Sequence, residues 1–430
     1  MANDYREMWS SLGLNLEAHD GLLAVLSDAY QNIYLSQKNR PQGMQYFDFV
    51  VSELHGQRVV EIVKEKINGK PIVGTFCIYV PEELILAVDG IAIGLCAGAD
   101  VGGEEAEKYI PRNTCALIKA FMGFKLAGLC PYIESADLII GETTCDGKKK
   151  AYEIFNEITG KVFVMELPHK KGEDGKLVWK NEIKKLADKL SEITDKEITL
   201  DNLRRASRIV NGKREALQRL SNLRSYDPSP ISGLDALLIN QISFYDDPVR
   251  FTSKLNELCD ELDERARTGV GATAKGAPRI LISGSPMAIP NWKLHFLAES
   301  SGAVVVGEEA CVGERNFSVL LKEDFSSVEE AIGRMADRSL SINCACFTPN
   351  DERLTDIQAM TKRLRADGVV HYALQFCTPY MIESYKVKNS VEGAGVPFLK
   401  IETDYSMEDM GQLKTRVEAF IEMVKDGRAR

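Results

Sequence analysis

Two stretches of the chain alternate short apolar runs with helical patterns, and this alternation limits the fold more than any other feature. In the first stretch the apolar runs predict strands near residues 73–80, 92–95, 137–141 and 161–167. In the second they predict strands near residues 279–283, 303–307, 369–376 and 396–402. Strands that alternate with helices form parallel sheets with helices on both faces. We therefore predict an α/β fold with two doubly wound parallel sheets.

The chain divides into four parts. Its 430 residues exceed the size of a typical single core. Residues 1–70 indicate a helical N-terminal segment, 71–175 the first α/β domain, 176–277 a helical segment with a linker, and 278–430 the second α/β domain. We expect each α/β domain to be Rossmann-like or flavodoxin-like. In such domains ligands bind at the carboxyl ends of the strands, so a site between the two domains is expected.

Composition and charge exclude several classes of function. The net charge of −10 argues against general nucleic-acid binding, which needs a basic surface. No basic segment followed by an apolar core marks a secretory signal near the N-terminus. The apolar region 72–97 is interrupted by Glu82, Glu83 and Asp89, so it does not fit a membrane span. We expect a cytoplasmic protein.

Six of the ten cysteines occupy positions typical of functional loops. A disulfide framework is not expected in a chain that is not secreted. Cys259 on a helical face, and Cys77 and Cys130, fit small buried hydrophobes. The six others lie at predicted strand ends or helix starts, beside Gly, Pro, Thr or Asn; they are Cys96, Cys115, Cys145, Cys311, Cys346 and Cys377.

These six cysteines form two trios if the two α/β domains are aligned. Residues 94–98 correspond to residues 309–313, so each domain offers one cysteine after its second strand, one before its helix and one after its third strand. The first trio is Cys96, Cys115 and Cys145, and the second is Cys311, Cys346 and Cys377. Cys344 competes with Cys346 for its place in the second trio.

Dispersed thiolates of this kind favour an iron–sulfur cluster. Soft sulfur ligands select zinc, copper(I) or iron–sulfur clusters. Structural zinc sites and thiol redox sites usually contain Cys-x-x-Cys pairs, which this chain lacks. Ligands spread over several sheet edges suit a large cluster in an interdomain cleft. Zinc and buried structural cysteines remain the alternatives at this point.

Several motifs resemble those of one protein family. They are Arg112-Asn113-Thr114-Cys115, Thr144-Cys145-Asp146-Gly147-Lys148-Lys149-Lys150, Pro81-Glu82-Glu83-Leu84-Ile85-Leu86-Ala87, Gln375-Phe376-Cys377-Thr378-Pro379-Tyr380 and Ile401-Glu402-Thr403-Asp404-Tyr405. Together they resemble the D-component family of 2-hydroxyacyl-CoA dehydratases, which includes benzoyl-CoA reductase subunits. The resemblance covers about residues 70–170 and 278–425.

The resemblance implies a cluster, a partner and a reaction. In the family three cysteines bind an iron–sulfur cluster, and by position these are Cys115, Cys145 and Cys377. The additional Cys96, Cys311 and Cys346 resemble the double-cubane branch, in which six cysteines hold an 8Fe-9S cluster. Such proteins take low-potential electrons from an ATP-hydrolysing activator with one 4Fe-4S cluster and reduce small unsaturated molecules. ATP would act only on that partner, and a homodimer is expected.

Two other functions stay open. One is a 2-hydroxyacyl-CoA dehydratase subunit with a single 4Fe-4S cluster, which eliminates water by a radical route. The other is an electron carrier without turnover.

The candidate proton donors are Glu83 and His169. Glu83 begins a predicted helix near the cleft, where it would otherwise charge the first helical turn. His169 follows a predicted strand end, whereas His371 lies within a strand and fits a core residue. Lysines 148–150 would stabilise a reduced cluster or form a solvated loop. Arg315 would hydrogen-bond near the cluster or pair with Glu314.

Overall fold

Two four-stranded parallel sheets organise the chain. The computed structural model describes residues 5–428. The first sheet has the order β2-β1-β3-β4 and the second β6-β5-β7-β8, with every pairing parallel. The strands are β1 (Ile72–Thr75), β2 (Ile91–Gly94), β3 (Leu138–Glu142), β4 (Val162–Met165), β5 (Arg279–Gly284), β6 (Val304–Glu309), β7 (Gly368–Leu374) and β8 (Phe398–Thr403). The predicted α/β fold with two doubly wound sheets is confirmed.

The strand order positions the site. In each sheet the first strand lies between the second and the third, so the chain crosses over in opposite directions on the two sides. A crevice opens at such a reversal, beyond the carboxyl ends of the strands. The reversals lie between β1 and β3 in the first sheet and between β5 and β7 in the second.

Helices cover both sheets and link them. The N-terminal helices are α1 (Arg6–Ser11), α2 (Leu16–Tyr30), α3 (Met44–Ser52) and α4 (Gln57–Ile67), with a π-helical turn at Gln31–Leu35. The first α/β domain contains α5 (Glu82–Ala87), α6 (Gly103–Ala106), α7 (Ala116–Leu126), α8 (Pro131–Ser135) and α9 (Asp146–Thr159). The middle segment contains α10 (Glu173–Thr194), α11 (Leu200–Leu223), α12 (Gly233–Ile242) and α13 (Pro248–Thr268). The second α/β domain contains α14 (Lys293–Ser300), α15 (Glu314–Phe317), α16 (Val328–Leu340), α17 (Asp351–Arg363), α18 (Thr378–Gly393) and α19 (Met410–Arg428).

The N-terminal and middle helices share their core with the second sheet. Helix α12 is buried along its whole length. One continuous hydrophobic cluster joins Phe47 of α3, Leu237 of α12 and Val305 of β6. Burial of so many apolar side chains is the main force that holds these helices against the sheets. Within residues 5–428, no helix is both long enough and apolar enough to cross a membrane.

The first predicted strand is shorter than expected. The apolar run 73–80 predicted one strand, but β1 ends at Thr75 and the chain then turns towards α5. Phe76 and Tyr79 of this turn are buried, and the Tyr79 hydroxyl donates to the Ile342 carbonyl over 3.1 Å. The segment is apolar because it is a buried loop at the carboxyl edge of the sheet.

Candidate functional site

Eight of the ten cysteines line one cavity of about 120 Å³ between the two sheets. They come from both α/β domains, and all ten cysteines of the chain are free thiols. Loops after β1, β2, β3, β6 and β7 and the segments before α7 and α17 supply them; the eight are Cys77, Cys96, Cys115, Cys145, Cys311, Cys344, Cys346 and Cys377. All six cysteines that sequence analysis singled out are therefore in this cavity.

Three of these thiols sit at helix N-termini. Cys115, Cys145 and Cys377 immediately precede α7, α9 and α18. The Cys145 sulfur accepts a hydrogen bond from the Lys148 backbone N–H over 3.4 Å. Free N–H groups and the helix dipole favour negative charge at such positions. The helix N-termini thus favour thiolates at these three residues, but burial raises the pKa of Cys145, and the hydrogen bond to Cys115 together with burial raises the pKa of Cys377.

These three cysteines form the first group. A hydrogen bond from the Cys377 thiol, aided by backbone N–H groups, lowers the pKa of Cys115 although the thiol is buried. Cys145 is close enough to influence the charge on both. The Ala116 N–H donates to the Gln375 carbonyl over 3.4 Å, which ties the start of α7 to the end of β7. The first group therefore bridges the two α/β domains.

The second group contains Cys77, Cys311, Cys344 and Cys346. Cys344 accepts hydrogen bonds from the thiols of Cys311 and Cys346, and these bonds lower the pKa of Cys344. Cys311 also interacts with Cys77. The Tyr380 hydroxyl lies 3.2 Å from the Cys344 sulfur. Like the first group, this one joins residues from both domains.

Cys96 stands apart from both groups. Its thiol donates to the Phe76 carbonyl over 3.1 Å, and burial raises the pKa of Cys96 to about 12. Its loop is pinned to the second domain, because the Gly98 N–H donates to the Ile289 carbonyl over 2.9 Å. A Cβ at Gly98 would lie 2.0 Å from the Ala288 carbonyl oxygen, so only glycine fits there. Cys96 is thus held as a protonated thiol in the cavity wall.

Each cysteine group has one buried cation beside it. Lys148 lines the cavity, and its Nζ lies 3.4 Å from the Phe76 carbonyl and 3.9 Å from the Glu142 carboxylate. Burial raises the pKa of Glu142, and the charge of Lys148 offsets part of this effect. On the other side, Arg315 Nη1 lies 3.8 Å from the Cys311 sulfur. Positive charge next to thiolates stabilises their ionised form.

The comparison with known proteins gives the family. A sequence model described as 2-hydroxyglutaryl-CoA dehydratase, D-component, matches residues 77–424. The chain belongs to this family. It is 38% identical over 379 residues to the protein named "Putative dehydratase subunit YjiM" of Escherichia coli (strain K12), covering 87% of this chain and 96% of that protein. The family predicted from the motifs is confirmed.

Two more distant relatives extend the comparison. The (R)-phenyllactyl-CoA dehydratase beta subunit of Clostridium sporogenes is 25% identical, and the match covers 83% of this chain and 92% of that protein. One of the subunits of the benzoyl-CoA reductase of Thauera aromatica is 22% identical, with 84% and 93% covered. The relatives are thus named as subunits of dehydratases and of a reductase.

The D-component family helps to interpret the two cysteine groups. The three cysteines that the family resemblance assigned to a cluster, Cys115, Cys145 and Cys377, are the first group. The contacts between the thiols differ from the domain-by-domain trios, because Cys377 joins Cys115 and Cys145 across the domain boundary. Cys77 and Cys344 also line the cavity. Cys77 was predicted to be a buried hydrophobe because it falls inside the predicted strand 73–80, whereas in the structure it lies just after β1.

The predicted proton donors lie outside the cysteine cavity. Glu83 is 1% exposed and accepts a hydrogen bond from Arg214 over 2.6 Å, which joins α5 to α11. Burial alone would raise the pKa of Glu83, but the charges of Arg214 and Arg338 lower it. A carboxylate fixed in this way does not reach the cavity. We therefore correct the prediction that Glu83 donates a proton there.

His169 lines a cleft that adjoins the cysteine cavity but is not part of it. This cleft, of about 940 Å³, is also lined by Cys115, Cys145 and Cys377. The His169 carbonyl accepts a hydrogen bond from the Thr348 N–H over 2.9 Å. His371 is buried in β7, and its Nε2 lies 3.0 Å from the Tyr380 carbonyl, so it is a core residue as predicted.

Two further features of the site are the run of three lysines and the chemistry of its possible metal ligands. Only Lys148 of the three consecutive lysines is buried, whereas Lys149 and Lys150 pair with Asp146 and Glu153 at the surface. Within residues 5–428, no three His, Cys, Asp or Glu side chains are arranged to hold a single metal ion. The chemistry of the donors, soft thiols in two groups, fits an iron–sulfur cluster, which is larger than one ion.

Proposed function

We propose that this chain is an iron–sulfur reductase that holds a double-cubane 8Fe-9S cluster between its two α/β domains. It takes low-potential electrons from an ATP-hydrolysing activator with a 4Fe-4S cluster and reduces small unsaturated molecules. The observation that carries the proposal is the convergence of seven thiols in two groups on one cavity, where one cubane would need only the first group. The family membership supports the same kind of chemistry.

The ligands are assigned by group. Cys115, Cys145 and Cys377 hold one cubane. Cys311 and two of the three other thiols of the second group hold the second cubane; those three thiols are Cys77, Cys344 and Cys346. Cys96 was predicted as a ligand, but its thiol donates to a carbonyl, so we assign it to the wall of the site. When bound, the cluster supplies electrons at low potential. Lys148 and Arg315 offset the negative charge of the reduced site, and the apolar walls exclude water.

The second candidate is a dehydratase subunit with a single 4Fe-4S cluster on Cys115, Cys145 and Cys377. It is supported by the relatives that are named as dehydratase subunits. In that case the second group would be four unligated thiols. The two candidates therefore differ in the iron content of each chain and in its dependence on Cys311.

Iron and acid-labile sulfide per chain test the proposal. We expect about eight iron and nine sulfide in protein purified without oxygen. Cys145→Ser and Cys311→Ser should each remove at least half of the iron, whereas Cys96→Ser should leave it unchanged. Cys259→Ala, which changes a buried thiol on α13 far from the cavity, is the matched control. About four iron, unaffected by Cys311→Ser, would favour the dehydratase.

The proposed partners can be tested separately. We expect the holoprotein to be reduced by an ATP-hydrolysing 4Fe-4S activator only when ATP is hydrolysed, followed as bleaching of its visible absorption. We also expect a homodimer, with twice the 47.8 kDa mass of the chain in light scattering. Reduction without ATP would contradict the proposed activator. A monomer at all concentrations would contradict the proposed homodimer.

Removal of the Lys148 charge is expected to lower the reduction potential. Lys148→Met should lower the midpoint potential by about 60 mV or more, a tenfold change in a one-electron equilibrium, because a buried cation beside the site is lost. A redox titration followed by electron paramagnetic resonance measures the shift. The control is Lys149→Met, whose side chain is 53% exposed and screened by solvent. Equal shifts in both variants would show that the Lys148 charge has no special effect.

A further inference from the structure

A second cavity lies directly behind the Cys96 loop. It has a volume of about 510 Å³ and is bounded by α2, the π-helical turn, α3 and the loop after β2. We call it the helical pocket. It shares four wall residues with the cysteine cavity; they are Gly94, Cys96, Tyr245 and Ile289. A molecule in the helical pocket would therefore be one residue layer away from the cysteines.

The lining of the helical pocket is apolar and aromatic. Leucines from α2 and a set of aromatic rings line the pocket; the rings are Tyr30, Phe124, Tyr132, Tyr245 and Trp292. The rings are fixed by their polar ends. The Tyr245 hydroxyl donates to the Cys96 carbonyl over 3.2 Å, and the Trp292 indole N–H donates to Gln241 over 2.9 Å. Such a preformed apolar cavity of this size is typical of small-molecule sites.

The pocket offers no positive charge. Neither lysine nor arginine is among the described residues that line it. Asp48 is neutralised by Arg40, at 2.8 and 3.0 Å, and accepts from the Tyr30 hydroxyl. Burial lowers the pKa of His55 to about 3, so this ring is neutral and hydrogen-bonds to His19 over 2.9 Å. An anion would lose its hydration without gaining a cation as partner, at a large cost in free energy.

We propose that the helical pocket binds a small, uncharged, largely apolar molecule, and that this molecule is the electron acceptor of the reductase. The second part rests on the proposed function, whereas binding itself does not. The volume of about 510 Å³ suits a small acceptor. A coenzyme A thioester does not fit this class, because its phosphates are anionic.

The loop that carries Cys96 separates the acceptor from the cysteines. It is held from both sides, because the Gly94 N–H donates to the Phe244 carbonyl and the Gly98 N–H to the Ile289 carbonyl, each over 2.9 Å. Reduction of a multiple bond would consume two electrons, delivered by the activator through the site, and two protons from water. The rigid loop would keep the acceptor near the electron source without contact.

Fluorobenzene and 4-fluorobenzoate, followed by fluorine NMR on the holoprotein without oxygen, test the proposal. Fluorobenzene should bind, with a dissociation constant in the millimolar range or below for seven non-hydrogen atoms. The carboxylate probe should bind at least tenfold more weakly. Leu26→Trp on α2 and Val51→Trp on α3 fill the pocket from two sides and should each weaken fluorobenzene binding at least tenfold. Val25→Trp, a neighbouring position that is 68% exposed, should have no effect.

The outcomes separate the pocket from the proposed function. If the fluorobenzene signal also broadens on reduction of the protein, the probe lies near a paramagnetic centre, as expected. If fluorobenzene binds to protein that contains no iron, and its signal does not broaden on reduction, the pocket is a binding site but the proposed reductase function is refuted. Iron at the expected level with no effect of either tryptophan would refute the pocket. A change of oligomeric state in both tryptophan variants, with fluorobenzene binding unchanged, would mean that the surface is an interface between protomers and would overturn the proposal.

Discussion

Glu309→Gln is expected to destabilise the folded protein by about 3–5 kcal/mol. Glu309 is 2% exposed at the end of β6, and it lies 2.8 Å from Arg353 and 2.9 Å from Arg315. Ser283 also donates to its carboxylate over 2.7 Å. The variant keeps the shape but removes the negative charge, so the buried Arg315 loses its carboxylate partner and the buried Arg353 keeps only Glu383. Unpaired buried charge is among the most destabilising changes known in proteins.

The same network supports the second cysteine group. Both guanidinium groups stack on the Tyr380 ring, at 5.2 Å for Arg315 and 5.1 Å for Arg353. The Tyr380 hydroxyl in turn contacts Cys344. A loss of Glu309 should therefore loosen the wall of the cysteine cavity as well as the sheet. We expect the variant to bind less iron than the wild type when both are purified in the same way.

Urea unfolding of the anaerobic holoprotein measures the effect of Glu309→Gln. The matched control is Glu314→Gln, which removes a carboxylate from a partly exposed pair with Arg363 and should cost about 1 kcal/mol or less. A cost for Glu309→Gln no larger than that of the control would show that the two arginines are solvated in some other way. The network would then have no structural role at the cysteine site.

The alternation of strands and helices could be predicted from the sequence because it depends on local residue patterns. A buried parallel strand is a short apolar run, and each predicted run overlaps a strand of the structure. Helix α5 begins and ends as predicted, since Pro81 precedes its first residue. The predicted length of β1 was wrong, because an apolar composition indicates that a segment is buried but not which backbone conformation it has. The buried loop after Thr75 has the same composition as a strand.

The grouping of the cysteines could not be predicted from local residue patterns in the same way. Their positions at strand ends or helix starts indicate functional loops, and all six predicted cysteines line the cavity between the two sheets. Which thiols meet depends on how the two sheets face each other, and this is decided by helices distant in sequence, such as α11 and α12. The alignment of the two domains placed Cys377 with Cys311, whereas packing places it with Cys115. Glu83 was misassigned for a similar reason, because its partner Arg214 is 131 residues away.

Acid is expected to destabilise the protein through a second buried network, around Glu308. Burial alone would raise the pKa of Glu308, but the Arg224 guanidinium, with His295 nearby, lowers it to about 2. Arg224 donates to both carboxylate oxygens, over 2.6 and 2.7 Å, and His295 Nε2 lies 2.9 Å from one of them. Since the folded pKa lies below the unfolded value of about 4.5, this pairing contributes fully above pH 4.5. Its contribution, about 3 kcal/mol at most, is lost as the pH falls towards 2.

His295 acts in the same direction at higher pH. Burial lowers the pKa of His295, so the unfolded state binds its proton first as the pH falls below about 6.5. Both groups therefore predict that stability falls continuously from neutral pH to pH 3.

The comparison of the wild type with Glu308→Gln isolates the carboxylate. At pH 7 the variant should be less stable by about 3 kcal/mol, since Arg224 is buried and loses its partner. Below pH 4.5 the wild-type carboxyl group begins to lose its advantage, so the difference should shrink to half or less by pH 3. Any loss of cluster in acid affects both proteins and cancels in the difference. A difference that stays constant from pH 7 to pH 3 would show that Glu308 stabilises the protein by shape and hydrogen bonding rather than by charge.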